Sequence, residues 1–188
     1  MAIIKHIPNF LTLINMSLGL TSVLVLLQTD HPHKTIIAPA LIMLGGFVDF
    51  LDGYLARKLQ AASDMGKQLD SFADIITFGI APICLINYIS TCSYPVFIIA
   101  ASLVFMMAGA YRLARYNLND FSKYFMGLPI TVAGIALAVY CVIYPFLAAH
   151  LNQVICTAVT TVFIILLSII MVSKRKVRRS FKGQQPVR

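Results

Sequence analysis

Charge is scarce in this chain, and acidic charge is scarcest. There is no glutamate, all 7 acidic residues are aspartate, and charged residues make up 12% of the sequence against 59% hydrophobic ones. Soluble domains carry about a quarter charged residues. With a mean hydropathy of +0.84, an ordinary water-soluble fold is excluded and an integral membrane protein is indicated. Cysteine is sparser still, with 4 residues. Cys84, Cys92, Cys141 and Cys156 form no CxxC pair and fall mostly within apolar runs, so neither a zinc site nor a disulfide framework follows, and packing remains. Soluble domains, low-complexity stretches and internal repeats are lacking too.

What is present is a succession of apolar runs, each long enough to cross a bilayer at about 20 residues per span. Six can be laid out, near 9–28, 35–57, 69–90, 95–115, 128–148 and 151–172. The first superficially resembles a secretory signal behind Lys5. It lacks a small-residue cleavage site and contains Asn9, Thr12 and Asn15, so it reads as a retained helix. The expected architecture is an all-α membrane protein of six transmembrane helices, with a six-helix domain over 1–173 and a basic tail over 174–188.

The net charge of +8 follows from where the cations fall. Lys5, then Arg57, Lys58 and Lys67, then Arg112, Arg115 and Lys123, then the tail KRKVRRSFKGQQPVR occupy alternate connections, and Lys34 alone lies opposite. By the positive-inside rule both termini are cytoplasmic, which requires an even number of spans. A topology signal, with the tail near anionic headgroups, explains the basic balance better than nucleic-acid binding does.

Against this background the stretch DFLDGYLARKLQAASDMGKQLDSFAD places Asp49, Asp52, Asp70 and Asp74 close together. A charged side chain at the centre of a span costs roughly 3 kcal/mol or more, so four carboxylates imply a compensating cation. Asp49 and Asp52 are three apart and Asp70 and Asp74 four apart, so on helices each pair projects from one face. The polar run KLQAASDMG, ending at Gly66, suits a turn that brings the two helices back antiparallel. Facing carboxylates in a bundle can hold two ions, and all-oxygen ligands favour Mg²⁺, Mn²⁺ or Ca²⁺, with magnesium first.

Gly45, Gly46, Gly53, Ala56, Gly66, Ala73 and Gly79 surround these positions. Small residues serve close helix packing, and Gly53 and Gly66, adjoining the carboxylates, would also let a bulky ligand approach. Arg57 either anchors the helix end or clamps a phosphate in a bidentate way, and the second suits a metal cluster better. Metal-holding carboxylates beside a phosphate-binding cation suggest phosphoryl-type transfer, and the membrane setting suggests a lipid pyrophosphate donor.

The spacing D-x2-D-G-x2-A-R-x8-G-x3-D-x3-D is met by Asp49, Asp52, Gly53, Ala56, Arg57, Gly66, Asp70 and Asp74. It resembles the signature of the CDP-alcohol phosphotransferases. That resemblance implies a six-helix fold, commonly homodimeric, which moves a phosphate-linked group from a CDP donor to a hydroxyl and releases CMP. It implies that Asp49, Asp52, Asp70 and Asp74 bind two divalent ions (Mg²⁺ or Mn²⁺), with Asp74 also the general base. Gly53, Arg57 and Ser63 would contact the CDP-lipid, with Ala56 and Gly66 beside them, although Ser63 also suits a helix N-cap.

A narrower likeness joins IPNFLTLINMSLGL, LDSFADIITFGIAP, RLARYN at 112–117 and the GLPIT beginning at Gly127. Together they resemble membrane-spanning phosphatidylserine synthases of bacteria and archaea. This implies CDP-diacylglycerol and L-serine as substrates, CMP as product and an active site facing the cytoplasm from the cell membrane. Phosphatidylglycerophosphate, inositol-phosphate and archaetidylserine synthases share the core signature, but the first usually carry an Arg where this chain has Asn15.

Arg112 and Arg115 share a helix face and, with Asn117, would hold the serine carboxylate or a donor phosphate, or else anchor topology. Asn9, Thr12 and Asn15 form a polar stripe suited to cytidine or headgroup atoms, or to hydrogen bonds between helices. His31 and His33 fall on the opposite connection and read as solvated loop residues. A divalent-cation transporter would also need intramembrane carboxylates, yet Asp30 is the only acidic residue expected on the far side.

Overall fold

Six helices long and apolar enough to cross a membrane are present among the described residues: α1 (Ile7–Leu27), α2 (Lys34–Lys58), α3 (Asp64–Ile89), α4 (Pro95–Leu118), α5 (Ile130–His150) and α6 (Gln153–Val172). The structure is a computed structural model and describes residues 7–28, 33–59, 61, 63–90, 94–118, 124–173 and 176–178. Lys5, Asp30, His31, Cys92, Lys123 and the remainder of the basic tail lie outside the described residues. Helices are what hydrocarbon demands, because every backbone N–H and C=O must find a partner within its own segment.

The outward surface is apolar, with Phe10, Leu24, Phe47, Leu103, Met107, Phe146 and Ile169 exposed as a lipid-facing coat. Hydroxyls on that coat are silenced locally. Ser17 donates to Leu13 O at 2.8 Å and Thr21 to Ser17 O at 2.7 Å, each one turn back. Inside, Phe78, Leu85, Ile86, Phe105, Leu137 and Ile164 form one core shared by α3, α4, α5 and α6. α1 lies along α2, and α4 pairs with α6.

Two features depart from the sequence reading. Gly66 does not end the turn between α2 and α3. It sits in the first turn of α3, where its N–H is accepted by Ser63 Oγ at 3.0 Å, so Ser63 is the N-cap. The middle of α3 is also irregular, with a π-helical turn over Ile75–Ile80 immediately after Asp74.

Beyond the helices, Tyr124–Met126 pairs antiparallel with Lys176–Arg178. This ribbon ties the start of the tail to the connection that follows α4. At its end Gly127 takes φ 75°, and a side chain there would collide with the last carbonyls of α6. Leu128 N–H bonds Ile170 O at 3.3 Å, giving one of those carbonyls a partner.

Candidate active site

The carboxylates gather where α1, α2, α3 and the start of α5 meet. Carboxylate oxygens of Asp49, Asp70 and Asp74 all lie within 4.8 Å of one another. Asp49 and Asp70 are half-buried and Asp74 is 8% exposed. Three acceptor-only groups this close repel one another unless a cation sits among them. Asp74 Oδ1 is buried without a hydrogen-bond partner, which suits a metal ligand. An all-oxygen donor set with a buried, unpartnered oxygen fits a hard divalent cation such as Mg²⁺ or Mn²⁺.

Asp52 stands apart from this triad. It is 5% exposed, and its Oδ2 accepts the Thr12 hydroxyl at 2.9 Å. Thr131, one residue into α5, reaches Asp49 Oδ2 at 3.4 Å. Each carboxylate of α2 is thus met by a hydroxyl from a neighbouring helix. Such outer contacts orient ligands before any ion arrives.

Beside the cluster opens a pocket of about 410 Å³, lined by Pro8, Asn9, Thr12, Asp52, Gly53, Ala56, Ala61, Ser63, Asp64, Gly66, Lys67 and Asp70. A methyl added at Gly53 would meet nothing within 4 Å, so that face is open. At Gly66 it would come 2.9 Å from Asn9 Oδ1, so glycine there lets α1 close the pocket wall. α1 rather than α2 supplies the close packing for the Asp64–Asp74 stretch, which leaves room between the two Asp-bearing helices.

Of the residues singled out in the sequence, Asn9, Thr12, Asp52, Gly53, Ala56, Ser63, Gly66 and Asp70 line this pocket together. Arg57 is exposed and outside its lining. Asn15 is fully buried, and both of its amide atoms lack a partner. The polar stripe of α1 therefore divides, two residues at the pocket and one beneath it.

On the other flank Arg112 is 7% exposed, its Nε lacks a partner, and its charge interacts electrostatically with Asp74. Asn117 Nδ2 donates to Ser71 Oγ at 2.8 Å, bracing α4 against α3. Arg115 lies near the ring of Tyr111, 5.9 Å from its centroid. Sequence reasoning gave no site role to Thr131, Lys67 or Ser71. Thr131 was nonetheless in view as the last residue of GLPIT.

The sequence is 39% identical over 148 residues to the CDP-diacylglycerol–serine O-phosphatidyltransferase of Bacillus subtilis (strain 168), covering 77% of this chain and 81% of that protein. It is 34% identical over 137 residues to the protein of the same name from Methanocaldococcus jannaschii, covering 72% of this chain and 60% of the relative. For the Saccharomyces cerevisiae protein of that name the figures are 35% over 153 residues, 73% of this chain and 54% of the relative, so the match spans just over half of the yeast protein. The profile of the CDP-alcohol phosphatidyltransferases matches residues 5–172. Since that match takes in all six helices and every aspartate of the cluster, the chain belongs to the CDP-alcohol phosphatidyltransferase family.

Proposed function

We propose that this protein transfers the phosphatidyl group of CDP-diacylglycerol to the hydroxyl of L-serine, giving phosphatidylserine and CMP. The observation that carries this reading is the double membership of Asp70, which both lines the open pocket and belongs to the acidic triad. A donor whose nucleotide fills the pocket has its pyrophosphate at the carboxylates. The shared name of the bacterial, archaeal and yeast relatives supports serine as acceptor.

In this reading Asn9, Gly53, Ala56, Ser63 and Gly66 receive the CDP moiety, and Arg57, from outside the lining, reaches its phosphates. Asp49, Asp52, Asp70 and Asp74 hold two divalent ions, Mg²⁺ or Mn²⁺. Bound there, such ions neutralise phosphate charge and stabilise the leaving group. Asp74 accepts the proton of the serine hydroxyl. The serine oxygen then forms its bond to the lipid-side phosphorus while the bond from that phosphorus to the CMP oxygen breaks, and the electron pair departs with CMP. Arg112, on α4 and in electrostatic reach of Asp74, holds the serine carboxylate in this reading.

The Asp cluster opens to the cytoplasm of the cell membrane, and the protein works as a homodimer. Orientation is supported by Arg57, Lys58, Lys67, Arg112 and Arg115, which cluster around the same end of the bundle as the pocket. The test is CMP release from CDP-diacylglycerol by the purified protein with Mg²⁺ or Mn²⁺, with serine competing against glycerol phosphate and inositol phosphate. Serine-dependent CMP release is expected. Release driven only by another alcohol would overturn the choice of acceptor.

A further inference from the structure

The π turn over Ile75–Ile80 starts at the residue after Asp74. Its signature is the Ala81 N–H, which bonds Ile76 O five residues back. One extra residue in a helix turns everything before it by about 100° relative to everything after it. The later part of α3 is fixed by the fully buried Leu85 and Ile86. The π turn therefore sets the direction in which Asp70 and Asp74 leave the helix.

Thr77 is the residue on which this turn bears. It is fully buried, and its hydroxyl donates to the backbone oxygen of Asn15 in α1 at 2.9 Å. It occupies a notch cut by two glycines. A methyl at Gly19 would fall 2.6 Å from Thr77 Cα, and one at Gly45 would fall 2.6 Å from Thr77 Cγ2. Gly19 belongs to α1, and Gly45 to α2 one turn before Asp49. Thr77 thus touches both helices that flank the acidic cluster.

We infer that Thr77 is a positioning residue for the transfer reaction, whose hydroxyl holds the π turn against α1 and so keeps Asp74 in register with Asp49 and Asp70. This rests on the reading of Asp74 as metal ligand and base. A misplacement of about 1 Å at a reacting group can cost on the order of a hundredfold in rate.

The test compares Thr77→Val, which keeps the shape and removes the donor, with Thr77→Ser, which keeps the donor. Binding of Mn²⁺ is followed by loss of the free-ion signal in electron paramagnetic resonance, and CMP release is followed at saturating Mn²⁺. Thr77→Val is expected to weaken Mn²⁺ binding about tenfold, within the range seen when ligand-orienting contacts are lost. Its kcat should fall about tenfold or more with KM for CDP-diacylglycerol unchanged, and Thr77→Ser should restore both. Melting temperatures in detergent identify folded variants.

Thr77→Val matching the wild type in Mn²⁺ binding and kcat would overturn the inference. Equal losses in Thr77→Ser and Thr77→Val would also overturn it, because the hydroxyl would then be irrelevant. If the wild type releases no CMP with serine, the serine reading fails by itself. The Mn²⁺ comparison still decides the role of Thr77.

Discussion

Thr12 on α1 donates its hydroxyl to Asp52 Oδ2 on α2 across 2.9 Å, joining the polar stripe of the first helix to the acidic signature of the second. The same hydroxyl oxygen lies 3.0 Å from Pro8 O, so it is held at the pocket wall whichever acceptor takes its proton. Removing that donor should loosen Asp52 rather than unfold the bundle. Thr12→Val is expected to weaken divalent-metal affinity by about ten- to a hundredfold, with Thr12→Ser near the wild type. Mn²⁺ titration of the purified variants checks this, and an unchanged affinity in Thr12→Val would remove Thr12 from the site.

The six spans were legible because hydrocarbon imposes one pattern, long apolar runs, and the four aspartates were legible because charge inside such runs is costly. Other features left no comparable mark. The contact between Thr131 and Asp49 joins positions 82 residues apart, which no local spacing reveals. The π turn within IITFGI seats Thr77 against Gly19 and Gly45, on helices distant in sequence, while its composition is that of any apolar helix. Gly66 looked like the end of a turn because glycine commonly marks one, whereas here it is needed small against Asn9 inside the first turn of α3. The spacing of Asn9, Thr12 and Asn15 fixed their common face but not their depth, so the full burial of Asn15 could not be read from it.

Asp74 and Asp49 should fail in different ways. Asp74 is the more buried and carries the unpartnered oxygen, and in the proposed mechanism it takes the serine proton. Asp74→Asn is expected to lower turnover by about a hundredfold to ten-thousandfold while largely preserving donor binding. Asp49→Asn, which removes a carboxylate of the cluster, should weaken metal and donor binding together. Steady-state CMP release combined with CDP titration separates the two. Near-normal turnover in Asp74→Asn would dismiss it as the base.

Chelation should act on stability as well as on turnover. Without cations, the clustered carboxylates of Asp49, Asp70 and Asp74 repel one another inside the bundle. A metal present at a hundred times its dissociation constant stabilises the folded state by about 2.7 kcal/mol. EDTA is therefore expected to abolish CMP release and to lower the melting temperature by several degrees, and excess Mg²⁺ or Mn²⁺ to restore both. Asp70→Asn should show a much smaller metal-dependent shift. A melting temperature indifferent to EDTA in the wild type would count against ions in this cluster.

Two glycines allow the pocket and the core to be tested against each other. A methyl added at Gly53 projects into open space on the pocket wall, so Gly53→Ala, in a helix interior, should hold or raise the melting temperature while raising KM for CDP-diacylglycerol. A methyl added at Gly134 would sit 2.6 Å from Phe78 Cβ and 2.7 Å from Phe78 Cα, where α5 crosses the π turn. Backbone there cannot yield cheaply, so Gly134→Ala should cost about 1–3 kcal/mol of stability through overpacking. If Gly53→Ala left KM for the donor untouched, the nucleotide could not occupy the space beside Asp52 and Asp70, and the site would have to be sought on the Arg112 flank.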